Sequence, residues 1–345
     1  MKTEIFWIDK LRILATLGVI LLHTSSGTSY NYGNIPNLSW WVGNIFDSAG
    51  RFAVPVFLMI SGALILSKTY DNIGEYLKKR VVKILLPFLF WSLIYIVKNL
   101  FLAFYNGTSM SFIEILKFVI MQFKYGASFH FWYIYMLIGL YLFFPIIGKW
   151  IKKSSACELK YFLGIWLLTT FIHFPFISKV FPNVDLAYFS GYIGFPVLGY
   201  YLANKTSSDF RIEKRRAILL ILTGFLITVL GTFFIAKYNG HFSDTLYKPL
   251  SPQIILIAAG MFLLFKSSSR NPQKYSTILL FFSKYCYGIF LIHPFILEIM
   301  EKIHIQTSLI HPILSIPLIC VLCFLFSMSI IWCVNKLPFG KYISG

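Results

Sequence analysis

The sequence predicts an all-α integral membrane protein, a bundle of about ten transmembrane helices with both termini cytoplasmic. Three observations predict it. The 345 residues are 57% hydrophobic and only 13% charged, with a mean hydropathy of +0.72, more apolar than a soluble core requires. The apolar stretches approach the roughly 20 residues that a bilayer demands and are bounded by Gly, Pro, Ser and charge. The basic residues also alternate. Of 31 Lys and Arg, eight fall on segments expected outside (Arg51, Lys98, Lys117, Lys124, Lys179, Lys237, Lys248, Lys302), and the rest fall on segments expected inside.

The expected spans are 7–26, 49–67, 81–105, 129–149, 159–178, 186–203, 214–236, 251–266, 277–300 and 311–334, with 111–125 as an interfacial helix. No repeat or soluble appendage interrupts them, so 1–345 reads as one membrane domain. The formal net charge of +18 would suggest nucleic acid in a soluble protein. Here it sits in short loops, where orientation explains it and nucleic-acid binding is not expected. The partner implied is the lipid bilayer; the sequence carries no signal of oligomeric state. Five cysteines give no disulfide framework, and Cys320 and Cys323 form a C-x-x-C inside an apolar run without zinc-ligand company. No metal site is expected.

The first span carries the chemistry. Arg12 and His23 stand eleven positions apart, which returns to within roughly 20° of one helix face and rises about 16 Å. Thr16 lies between them and Asp9 below. An ionisable group in hydrocarbon costs roughly 2.5–3.5 kcal/mol or more, so the stripe needs a reason. Arg12 serves either as a snorkelling topology anchor or as a site residue, and His23 either as a hydrogen-bonded structural imidazole or as a site residue. The segment is not followed by a small-residue cleavage site and reads as an anchor. Residues 27–48 hold no Lys or Arg and are rich in Tyr, Trp and Asn, which suits sugar hydroxyls or an interfacial belt; they read as an outer loop.

Further along, Arg51 enters from outside at the level of His23. It pairs with Asp47 four residues before it or orients an acceptor in an outer cavity. Lys79, Arg80 and Lys83 head the third span, where positive-inside bias or phosphate binding explains them. The fourth span opens with His130 and Trp132 at its outer mouth. Asp244 is among the few outer acids and could set the tautomer of His23 or bind a hydroxyl. In the ninth span Pro294 kinks the helix beside His293, which then faces a cavity or packs at the kink. No phosphate loop, metal-ligand spacing or serine elbow is present.

Five ordered motifs resemble the acyltransferase-3 family of integral-membrane acyltransferases: Arg12-x10-His23, VPVFLMISG at 54–62, RVVKILLPFLFW at 80–91, HFWYIYMLIGLYLFFPI at 130–146 and YGIFLIHPFIL at 287–297. Within the family, the opening stretch, the segment 47–62 and HFSDTLY at 241–247 look most like the branch that O-acetylates enterobacterial common antigen. Ile13 stands where the family usually has Gly, and Lys79 and Arg80 where it often has paired arginines. The resemblance implies a bacterial inner-membrane O-acyltransferase. It would move an acyl group, most often acetyl, from cytoplasmic acyl-CoA to a hydroxyl of a surface glycan. Its phosphates would meet Arg12, Lys79, Arg80 and Lys83; His23 would act as general base or covalent acyl carrier. Arg51, His130, Trp132, Asp244 and His293 would surround the acceptor. Some relatives are assigned to glycan export, which makes an exporter or flippase the alternative.

Overall fold

The computed structural model describes residues 6–68, 70, 72–175, 177–178, 191–205, 209–268 and 277–345. Lys2, Lys179, Arg270 and Lys274 of the charge pattern, and the start of the span expected at 186–203, lie outside the described residues. All regular structure among the described residues is helical. In chain order the helices are α1 (Phe6–Ser29), α2 (Asn37–Gly50), α3 (Ala53–Ile65), α4 (Ile73–Arg80), α5 (Leu86–Tyr105), α6 (Phe112–Tyr125), α7 (Trp132–Lys153), α8 (Ala156–Ile172), α9 (Gly194–Asn204), α10 (Phe210–Asn239), α11 (Pro252–Ser267), α12 (Thr277–Lys302) and α13 (Pro312–Lys336).

Helices occupy all ten expected positions. Among the described residues, seven helical stretches are long and apolar enough to cross a membrane: Asn37–Ile65, Ile73–Tyr105, Phe129–Lys153, Phe210–Asn239, Thr245–Ser267, Thr277–Lys302 and Pro312–Lys336. The other three positions are α1, α8 and α9. The 24-residue α1 has the length, but Asp9, Lys10, Arg12 and His23 dilute its apolarity. At 1.5 Å per residue, the 17 residues of α8 reach only about 26 Å and the 11 of α9 about 17 Å. Large apolar side chains such as Phe101, Leu219, Phe234 and Leu314 are exposed. That is the reverse of a soluble surface and the expected dress of a lipid-facing one.

The reading of 27–48 as an outer loop is corrected. Its first residues extend α1, and from Asn37 on it belongs to α2. Polar composition hid an amphipathic helix, whose inward face buries Trp40, Asn44, Asp47 and Ser48. Each is satisfied from inside. The Trp40 indole N–H donates to the Ser29 carbonyl at 2.8 Å, and Asn44 Nδ2 to the Val229 carbonyl at 3.0 Å. α2 breaks from α3 at Arg51–Phe52, three residues before Pro55, which has no N–H to give the carbonyl of Arg51. The interfacial α6 carries a capping box, in which Ser111 and Glu114 satisfy each other's backbone N–H. Those bonds, the backbone one foremost, hold the Glu114 carboxyl below its usual range.

α1 is the axis. It packs against α2, α3, α11, α12 and α13, and α12 runs beside it in the same direction, Ser283 meeting Arg12 and His293 meeting His23. The two thiols of the C-x-x-C donate to carbonyls of these helices, Cys320 to Leu17 at 3.6 Å and Cys323 to His293 at 3.5 Å. They are packing groups. α3 and α9 cross through bare backbone, for a Cβ on Gly62 would lie 1.9 Å from the Pro196 oxygen and one on Gly199 2.1 Å from the Met59 oxygen. Gly199→Ala is therefore expected to cost about 1–3 kcal/mol, measured as a lowered melting temperature in detergent. An unchanged temperature would show that the crossing can open freely.

Candidate functional site

At the C-terminal end of α1 three imidazoles stand in a row. The ring of His23 lies 5.4 Å from that of His293, nearly parallel at 26°, and His293 lies 5.4 Å from His130. Phe129 meets His23 edge-on at 4.9 Å. His130 and His293 are buried; His23 is half-buried and forms part of the wall of a cavity of about 790 Å³. Hydroxyl and amide groups of Ser26, Thr28, Asn31, Ser39, Gln306 and Thr307, with His311, share the rest of that wall with apolar residues such as Ile35, Leu297, Ile305 and Ile319. Its lining holds one carboxylate, Glu301, and no Lys or Arg. Such a wall offers donors and acceptors without a net cation, which suits a neutral polyhydroxylated ligand.

The N-terminal end of α1 is organised around Arg12. Its Nη1 donates to Asp9 Oδ1 and to Ser283 Oγ, each at 2.8 Å, and the Ser283 hydroxyl donates to the same carboxylate oxygen at 2.6 Å. Asp9 is buried and only part of Arg12 is exposed, so the triad fixes the guanidinium. Arg80 stands nearby, its guanidinium over the rings of Tyr76 and Tyr141 at 5.4 and 5.6 Å. Both arginines lie close enough to the Tyr141 hydroxyl to bear on its charge. Nε of Arg80 is buried without a hydrogen-bond partner among the described residues, while the Tyr70 hydroxyl hydrogen-bonds the same side chain.

Between the two ends runs a line of tyrosine and phenylalanine. The Tyr141 hydroxyl bonds Ser61 at 3.0 Å, and those of Tyr133 and Tyr287 interact with it. Phe290 then contacts Tyr133 at 5.2 Å and His130 at 5.4 Å. Polar groups thus mark both ends of a mostly aromatic line of packed side chains within one bundle.

A family model for an acyltransferase domain matches residues 5–332. The chain belongs to the acyltransferase-3 family. This acyltransferase is also 24% identical over 363 residues to YfiQ of Bacillus subtilis (strain 168), which carries the provisional name of a membrane-bound acyltransferase; the match spans 99% of this chain and 94% of that relative. No solved structure matches significantly. Family and apolar helices together make this a multi-pass membrane acyltransferase.

The acyltransferase gathers some of the candidate residues and disperses others. His23, His130 and His293 come together, as do Arg12 and Arg80. Lys79 does not join them: it is 70% exposed and reaches Glu75 at 3.8 Å. Lys83 is exposed on the π-helical turn Val81–Leu85, which breaks the helical spacing that would have aligned it with Arg80. Trp132 lies 42% exposed beside Tyr192 at 5.8 Å. Asp244 is exposed in its loop, and the side chain that loop delivers inward is Tyr247, whose ring lies 4.1 Å from the Arg51 guanidinium. Arg51 itself pairs with Asp47 at 2.5 Å. Among residues that sequence reasoning passed over, Ser283 had a signal. It precedes His293 by ten positions on α12, echoing the eleven that separate Arg12 from His23 on the parallel α1.

Proposed function

We propose that this protein is a bacterial inner-membrane O-acyltransferase that moves an acyl group, acetyl first, from cytoplasmic acyl-CoA to a hydroxyl of a surface glycan or its lipid-linked precursor. The observation that carries the reading is the division of α1: Arg12 shares Tyr141 with Arg80 at one end, and His23, about 16 Å away, walls a cavity that presents several hydroxyl and amide groups. The full topology has ten spans, α1, α8 and α9 included, in one membrane domain with both termini cytoplasmic. Acyl-CoA enters from the arginine side, where its phosphates meet Arg80, whose Nε has no partner among the described residues, and Arg12. Its pantetheine arm lies along the tyrosine line and brings the thioester toward His23. The glycan enters the outer cavity. His23 takes the proton of the attacking hydroxyl, or first carries the acyl group itself. The acceptor of the enterobacterial branch is one member of the class this cavity suits.

Transfer of label from radiolabelled acetyl-CoA to envelope glycan, in membranes with and without the protein, tests the reading. Label appearing only with the protein is the expected result. Glycan reaching the surface only with the protein, but unlabelled by any acyl donor, would make it an exporter instead. Arg80→Ala is expected to raise the KM for acetyl-CoA about tenfold, the worth of one charge-assisted bond of roughly 1.4 kcal/mol, while kcat stays within a few-fold. An unchanged KM would remove Arg80 from the donor site.

A further inference from the structure

His293 has a hydrogen-bonding state that the chain dictates. Pro294 gives no N–H to the helix, and the carbonyl of Phe290, four residues before it, loses its normal donor. The Nδ1 of His293 lies 2.7 Å from that carbonyl. A carbonyl only accepts, so Nδ1 carries the proton and Nε2 presents a bare lone pair. That Nε2 is buried and has no partner among the described residues, at a side chain that is 0% exposed.

The same kink settles His130. The carbonyl of Leu291 would take the N–H of Phe295, but that N–H donates instead to the Tyr95 hydroxyl at 3.1 Å, and the hydroxyl donates to Leu291 at 3.2 Å. His130 Nε2 meets the same carbonyl at 3.2 Å, so its proton is on Nε2 and its Nδ1 accepts from Ser128 Oγ at 3.0 Å. His130 therefore offers no free N–H to His293. The imidazole left to meet the lone pair is His23, whose ring is 5.4 Å away at 26°. Two imidazoles joined edge to edge by an N–H···N bond of about 2.9 Å have centroids roughly 5 Å apart, so a rotation of the His23 ring closes the bond without moving either helix.

We propose that His293 is the positioning residue of the reaction. Its Nε2 accepts the N–H of His23, which holds His23 in one tautomer with its second nitrogen bare toward the outer cavity. The signal starts at the Phe290 carbonyl, freed by Pro294, and passes through two imidazoles to the acceptor hydroxyl. Each proton stays on its own ring until the hydroxyl arrives. His23 then takes that proton while the oxygen bonds the acyl carbon and the carbon–sulfur bond breaks, and the thiolate leaves with the proton that His23 has gained. The inference rests on the proposed reaction for its kinetics, though not for its tautomers.

Two variants separate positioning from packing. Asparagine at 293 keeps a donor to the Phe290 carbonyl and loses the distal acceptor; glutamine places an acceptor oxygen near the position of Nε2. With the full chain in nanodiscs containing CoA, His293→Asn is expected to lower kcat about a hundredfold with the KM for acetyl-CoA unchanged. His293→Gln recovers it to within about tenfold. Equal losses in both, or wild-type kcat in the Asn variant, would overturn the proposal. Nitrogen-15 spectra of the histidine rings, with His23 assigned by comparison with His23→Ala, give a readout independent of turnover. One His23 tautomer is expected in wild type and the Gln variant and a mixture in the Asn variant, whereas the same tautomer in all three would refute the bond. If wild type transfers no acyl group, the proposed reaction fails, and the spectra alone decide the role of His293.

Discussion

Replacing His23 by alanine is expected to lower acyl transfer by about 10²–10⁴-fold, the range attributed to a positioned general base. The fold should tolerate the change. The ring of His23 touches Phe129 and His293 and otherwise borders open cavity, so truncation enlarges a space that is already there instead of opening a void in packed core. Donor binding should also persist, because Arg12 and Arg80 lie at the opposite end of the aromatic line. A ligand present at a hundred times its dissociation constant stabilises the protein that binds it by about 2.7 kcal/mol, so CoA should raise the melting temperature of wild type and His23→Ala alike. Matched thermal shifts with transfer lost would place His23 in the chemistry. Transfer within tenfold of wild type would make His23 a packing residue. Wild type quenched with labelled acetyl-CoA in the absence of acceptor then separates the two routes: label retained on the denatured protein marks a carrier, and its absence marks a base.

The stripe on α1 was legible because a membrane span is a strict background. An Arg and a His on one face of an apolar helix cannot be hidden by composition, and 3.6-residue periodicity places them without a structure. The same logic found His130 and His293, each polar at the head or kink of an apolar run. What sequence could not supply was depth and direction. Lys79, Arg80 and Lys83 look equivalent in a basic cluster, and only the π-helical turn Val81–Leu85 and the rings of Tyr76 and Tyr141 single out Arg80. Asp244 and Trp132 were chosen by chemical type, yet a loop residue can turn either way, and it is Tyr247 that turns inward. Residues 27–48 failed differently. Hydropathy alone reads a polar helix as a loop, although the inward face of α2 is polar because it meets Ser29, Val229 and Tyr247 by hydrogen bonds.

Arg51 is the second residue whose loss should be severe, for a reason other than substrate. Asp47 is fully buried, with one carboxylate oxygen 2.5 Å from Arg51 Nη2 and the other accepting from Ser29 Oγ at 2.6 Å. Arg51 is itself only 14% exposed, lying over Tyr247 and within 3.5 Å of the Tyr30 hydroxyl. Removing one member of such a pair leaves a buried charge without a counter-ion, which costs about 3–5 kcal/mol. Arg51→Ala is therefore expected to cut the yield of folded protein and lower its unfolding free energy by that amount, read from denaturation in detergent. Asp47→Asn combined with Arg51→Gln removes both charges while keeping polar groups of similar reach, and it should recover most of the loss. The double variant also decides what the pair does for catalysis, because Arg51 is near enough to His23 for its charge to act there. Transfer per folded molecule within a few-fold of wild type would make the pair a strut between α1, α2 and the loop that carries Tyr247. A folded double variant that binds CoA but transfers nothing would mean that the cation is required at the reaction centre, the role that its position at the level of His23 suggested.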